Sequence, residues 1–148
     1  MNTHPNLRAF LAGTLVPTLV LPLMLAGFIV VRLWFQAPFP IERGLVFPLA
    51  LVPALWGLWN MLWMCSHEHT HLSIGLHGAV LPLLLMPAGA LAASCLGILT
   101  LGFHGATWFQ TIYVPYALIA PCFLAALVGY YLIWKYIVGF VNRVLGIA

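Results

Sequence analysis

The sequence predicts an all-α membrane protein, a four-transmembrane-helix up-down bundle with proline-kinked helices, forming one integral membrane domain over residues 1–148. Three observations carry this expectation. Charge is scarce: 64% of the residues are hydrophobic, 5% are charged and the mean hydropathy is +1.10, whereas a water-facing surface needs about 25% charged residues. Four apolar runs, at 9–31, 45–64, 79–101 and 112–134, have the length of about 20 residues that crosses a hydrocarbon core of roughly 30 Å. The links between them are short, so consecutive helices should be antiparallel neighbours with no soluble domain between them.

The first run lies between Arg8 and Arg32. It is longer than the core of a signal peptide and is followed by a charge rather than a small-residue cleavage site, so it is expected to remain as a span. The second run carries WGLWNMLW, which places Trp56, Trp59, Asn60 and Trp63 along one side of a helix. These residues end on the same side as Tyr130, Tyr131, Trp134 and Tyr136 of the fourth run. An interfacial aromatic belt accounts for the pattern, and a Trp-lined cofactor pocket is the sharper alternative. Asn60 is the one amide well inside a run, where a single interhelical hydrogen bond is expected. The third run carries Gly89, Ala93 and Gly97 at four-residue spacing, with Ala88 and Ala92 beside them. Small residues at that spacing let backbones approach, so this face is the expected helix-packing surface, within the bundle or between protomers.

A proline frame repeats through the runs. Pro17 and Pro22, Pro48 and Pro53, and Pro82 and Pro87 are each preceded by a glycine, giving GTLVPTLVLP, GLVFPLALVP and GAVLPLLLMP; Pro115 and Pro121 form a looser fourth copy with Thr111 in the glycine position. Such a period suggests duplicated hairpins. Proline removes a backbone donor and presses on the carbonyl four residues back, where Gly13, Gly44 and Gly78 stand. The eight prolines are therefore candidate hinges whose freed carbonyls face a shared interior. The alternative is that the first prolines of the pairs sit near span starts, where the missing donor costs little.

Only one stretch carries chemistry. Residues 67–77 read HEHTHLSIGLH, so His67, Glu68 and His71 satisfy H-E-x-x-H, in which two histidines one turn apart bind zinc and the glutamate activates water. His77 falls at the spacing of the third ligand in the extended metzincin motif. The resemblance covers only these residues, and the glycine that motif needs is replaced by Ile74. The chain has no Asp, while the intramembrane zinc proteases draw a further aspartate from another span. His67, His71 and His77 are thus candidate ligands for a divalent metal, with zinc the candidate ion, in an interfacial loop and not a catalytic centre. No cofactor and no catalytic residue are expected. A haem held between facing helices would need imidazoles at membrane depth, and the nearest approach to that is His71 with His77 at the inner mouth.

The remaining charges set orientation. Arg8, Lys135 and Arg143 share a side with both termini and Arg32 and Arg43 lie on the other, which favours cytoplasmic termini. Five scattered cations make no basic stripe, so nucleic acid is not a partner. Cys65, Cys95 and Cys122 imply no disulfide framework; they read as small buried hydrophobes, with a Cys95–Cys122 bridge as the alternative. The function expected is that of a non-enzymatic membrane module that packs against partner subunits, copies of itself or membrane lipid. A carrier of an apolar or lipid-like substrate is the second expectation, and a metal-binding or zinc-dependent enzyme the third. An ion-coupled transporter is disfavoured, because the runs contain no interior ionisable residue.

Overall fold

The computed structural model describes residues 4–36, 40 and 42–147, with the side chain of Glu68 outside that description. Four helical stretches, Pro5–Trp34, Glu42–His67, Ile74–Cys95 and Tyr116–Val144, are long and apolar enough to cross a membrane. Helix α1 is Pro5–Trp34. The second stretch is composite: a π-helical segment Glu42–Val46, the short α2 Phe47–Ala50, and α3 Val52–Thr70. Helix α4 is Ile74–Cys95. The last stretch joins α5 Tyr116–Leu132, a second π-helical segment Ile133–Val138 and α6 Gly139–Val144.

Between α4 and α5 the expectation of an all-α chain is corrected by a small antiparallel sheet. Its strands β1 Leu99–Leu101, β2 Gly105–Trp108 and β3 Ile112–Pro115 lie in sequence order, with Thr100 opposite Thr107 and Ala106 opposite Val114. The third span therefore ends at Cys95 instead of 101, and the fourth starts at Tyr116 instead of 112. The physical cause of the first change is Gly97, whose φ of 68° no ordinary helical residue adopts. Its N–H donates to the Ser94 carbonyl at 3.0 Å while that of Ile98 donates to Ala93 at 2.9 Å, the paired bonds that end a helix on a left-handed glycine. Gly146 ends α6 in the same way, through bonds to Arg143 and Asn142.

The stretch 67–77 is mostly helical instead of a loop. Helix α3 continues through His67 and His69 and stops at His71, whose φ is 49°. Ser73 then caps α4, its Oγ accepting the Leu76 N–H at 3.4 Å, so that His77 stands inside the helix.

Packing divides the helices unevenly. Helix α1 lies along α3, and α4 lies along α5 and the second π segment, while α3 and α4 meet over a small area that includes the Trp59–His77 contact. The core is a cluster of Trp56, Leu81, Trp134 and Val138, with Val16, Trp59, Leu85 and Tyr130 against it. Trp56, Trp63 and Trp134 are therefore buried inside the bundle and do not form an interfacial belt. The outward faces are instead leucine-rich, as at Leu19, Leu23, Leu91 and Leu124, all exposed. Surfaces of this kind suit lipid as the surrounding medium. The three cysteines are free and also exposed, which corrects their expected burial.

Candidate functional site

Two regions of the helix assembly stand apart from ordinary packing: a polar clasp buried at one end and an apolar groove at the other.

The clasp begins with Asn60, which is 0% exposed on α3. Its Nδ2 donates to Asn142 Oδ1 and to the Ala9 carbonyl, each at 2.8 Å, and Asn142 Nδ2 donates back to Asn60 Oδ1 at 3.0 Å. Three segments, α1, α3 and α6, are thereby pinned at one point. The backbones can come this close because Gly13 faces α3: a Cβ there would lie 2.8 Å from Asn60 Cβ and 2.9 Å from Gly57 Cα. A Cβ on Gly57 would in turn meet Phe10 and Thr14.

His77 extends the clasp to α4. Its ring stacks on Trp59 with centroids 4.6 Å apart, its Nε2 lies 3.0 Å from the Trp59 carbonyl, and Trp59 Nε1 donates to the His77 carbonyl at 2.8 Å. A carbonyl only accepts, so Nε2 must carry the proton in this contact. Next to it, a Cβ on Gly78 would collide with Cβ, Cγ and Cδ1 of Trp134. Trp134 also contacts Trp56, with centroids 5.4 Å apart, and Trp56 contacts Tyr130 at 5.1 Å. The indole N–H groups of Trp56, Trp63 and Trp134 are buried without a hydrogen-bond partner among the described residues. Here the aromatic rings fill space and the amides and imidazole hold helices together.

The groove lies between the start of the second helical stretch, from its π-helical segment through α2 to the first turn of α3, and the second half of α4, with a volume of about 1020 Å³. Leu49, Val52, Leu55 and Leu85 form apolar walls, and Ala88, Gly89 and Ala92 of α4 line another side. From Arg43 to Leu55 the second stretch rises roughly 18 Å at 1.5 Å per residue, about half of a hydrocarbon core of roughly 30 Å. Phe109, Gln110 and Arg43 stand at the polar end. The turn there is strained: Phe109 and Gln110 have φ of 52° and 57°, values that favour glycine or asparagine. The Phe109 ring lies where a Cβ on Gly44 would sit, so packing against that glycine holds the turn in place. Beside the groove, Arg32 Nε pairs with Glu42 Oε1 at 3.4 Å, both about half exposed, and that ion pair borders a second apolar cavity of about 480 Å³.

The sequence-derived candidates are distributed as follows. Gly89 lines the groove and a Cβ there would meet nothing within 4 Å among the described residues; Gly97 lies beyond the end of α4, so the small-residue stripe does not continue to it, and Ala93 is half-buried. Pro17, Pro22, Pro82, Pro87 and Pro121 lie inside helices, whereas Pro48 and Pro53 occupy first turns and Pro115 caps α5. The glycines of the proline frame all receive a neighbour: Gly13 receives α3, Gly44 receives Phe109 and Gly78 receives Trp134.

His67, His71 and His77 are not brought together. His67 stacks on Trp63 and hydrogen-bonds the Met64 carbonyl, His71 terminates α3, and His77 is committed to Trp59. Among the described residues no group of three or more His, Cys, Asp or Glu side chains could hold a metal ion, and the side chain of Glu68 lies outside the described residues.

Sequence reasoning missed Asn142, the Gly13–Gly57 contact and the Arg43–Gln110 end of the groove. For Asn142 a signal was present: the apolar run resumes after Lys135 and carries a lone amide, the same mark that singled out Asn60. Comparison with protein-family models, curated proteins and solved structures finds no match.

Proposed function

We propose that the chain is an integral membrane protein whose four spans cross the bilayer alternately with both termini cytoplasmic, and that it acts without chemistry, holding the apolar part of a lipid-like molecule in the α3–α4 groove. The groove is the observation that supports this reading. It is preformed, because the Trp59–His77 bonds that tie α3 to α4 lie outside its lining. It spans about the depth of one leaflet, so an apolar molecule can enter sideways from the bilayer. Burying a methylene from water is worth about 0.8 kcal/mol, but acyl chains already surround a membrane protein and this gain is largely cancelled. Retention then rests on the shape of the walls and on the polar end.

The test is native mass spectrometry of protein purified in mild detergent from its own membrane. The wild type should retain a lipid-like molecule that the groove-filling variants Ala92→Trp and Gly89→Trp lose. Equal retention by folded variants would defeat the reading. For orientation, substituted cysteine at Phe103 should be labelled from outside intact cells, and labelling at His71 instead would reverse it.

A second reading is favoured by Ala88, Gly89 and Ala92 on the groove wall, since small residues also receive a helix. A partner subunit or second copy would then occupy the groove. In that case the same variants would lower the oligomeric mass and leave bound lipid unchanged.

A further inference from the structure

We infer that the molecule held in the groove is an anionic diacyl phospholipid whose phosphate is gripped by Arg43. This rests on the groove reading above and adds the class of ligand.

The groove has room for two chains. At about 30 Å³ for each water-sized group, a methylene included, an open groove of about 1020 Å³ accommodates roughly thirty such groups, enough for two acyl chains lying side by side. Charge argues for the headgroup. Arg43 is the one charged residue among the described residues that line the groove, it is exposed, and it forms no salt bridge among them. The neighbouring carboxylate of Glu42 is engaged by Arg32. The field at this end of the groove is therefore positive, and an apolar cleft below a free guanidinium is complementary to a molecule with an anion at one end and alkyl chains at the other. The planar guanidinium fork matches two phosphate oxygens, which an ammonium or an amide does not do. Gln110, at the end of the groove with Arg43, offers an amide N–H₂ to a further oxygen. Because the acyl chains exchange one apolar medium for another, this polar end is where the lipid's identity is read.

The experiment uses the full chain in detergent with equimolar phosphatidylglycerol and phosphatidylcholine of identical acyl chains, read by native mass spectrometry. One basic group near a surface gives about a fivefold preference for an anionic lipid, so at least that enrichment of phosphatidylglycerol is expected for the wild type. Arg43→Gln should bring the two lipids to parity by lowering the phosphatidylglycerol retained, and Arg43→Lys should restore part of the preference. Raising the salt on the unaltered protein should weaken it as well, a check that needs no variant. Equal retention of the two lipids by the wild type, or a preference that survives both Arg43→Gln and high salt, would overturn the inference while leaving the groove reading intact. Undiminished binding of both lipids by folded Ala92→Trp would overturn the two together.

Discussion

Gly78 and Gly89 lie on the same helix, and their surroundings could hardly differ more. Gly78 faces the Trp134 ring so closely that no side chain fits, while Gly89 faces open space. The clasp and the groove use similar materials, glycine or alanine on α4 opposite bulky residues on a neighbour. The difference is what fills the gap. At the clasp, Trp134, Trp56 and Trp59 complete the packing, and reciprocal hydrogen bonds fix Trp59 to His77. At the groove, Phe47 and Phe109 stand in the lining, yet no described residue comes within 4 Å of a Cβ added at Gly89. A small residue in a membrane helix thus marks a place where something bulky approaches, and the identity of that neighbour depends on how the helices diverge.

The sharpest way to break the comparison is to place the same side chain at both glycines. Gly78→Leu would drive a branched chain into a fully buried indole, an overpacking that costs about 3 kcal/mol or more. Thermal unfolding in detergent should show a large loss. A stable Gly78→Leu protein would mean that α4 and the Trp134 segment are free to separate, and the clasp would not be rigid.

The next effect in size concerns the amide pair. Asn60→Leu leaves the Asn142 amide buried and the Ala9 carbonyl without its side-chain donor, at a cost of about 1–2 kcal/mol, since interhelical hydrogen bonds in membranes contribute less than their number suggests. Asn142→Leu should cost about the same. The double variant should be less destabilised than the sum of the two, and strict additivity in that cycle would show that the amides do not act as a pair.

A smaller loss is expected at His77. His77→Phe keeps a flat ring against Trp59 and removes the Nε2–H donation to its carbonyl, which should cost about 1 kcal/mol. A zinc titration of the wild type sharpens the point, because a ring held in this contact has to leave it before Nε2 can ligate. Stoichiometric zinc that stabilises the fold and is lost in both His67→Ala and His71→Ala would show that the histidines can regroup.

Much of the helical layout was legible, because lipid imposes a rule that sequence obeys openly: about 20 apolar residues for each crossing. The interhelical role of Asn60 was legible for the same reason, since a lone amide among leucines needs a partner. What escaped depended on local exceptions and on three-dimensional angles. Residues 99–101 read as the end of the third run and 112–115 as the start of the fourth, so only the left-handed Gly97 separates sheet from helix, and at four-residue spacing from Ala93 it reads as one more packing residue. The strained turn at Phe109 and Gln110 lacks the glycine or asparagine that announces a hairpin. Lys135 looked like the end of the fourth span, yet the helical stretch continues to Val144, with that ammonium 5.4 Å from the Tyr131 ring centroid and 5.3 Å from that of Tyr136. Extending the span brought Asn142 to Asn60. The tryptophans read as a belt because hydropathy does not say whether a ring at a given depth faces lipid or a neighbouring helix. The groove was invisible for a related reason: it is created by the separation of α3 from α4, and no residue encodes that separation by itself.

The smallest expected effect completes the comparison and is also its most exposed point. Gly89→Leu adds a side chain where an added Cβ meets none of the described residues within 4 Å, so the overpacking that punishes Gly78→Leu has no counterpart. Leucine is moreover a better helix former than glycine by roughly 0.5–1 kcal/mol, although that gain belongs to helices in water and shrinks where lipid already enforces helicity. The stability of the isolated chain should therefore shift by no more than about 0.5 kcal/mol in either direction. Measured beside Gly78→Leu in the same detergent, the two substitutions should be separated by most of the larger variant's loss. If Gly89→Leu proves as damaging as Gly78→Leu, something occupies the groove in the purified protein. The mass of the complex then decides between the occupants: a drop in oligomer number assigns the space to a helix, and loss of a bound lipid at constant oligomer number assigns it to the ligand.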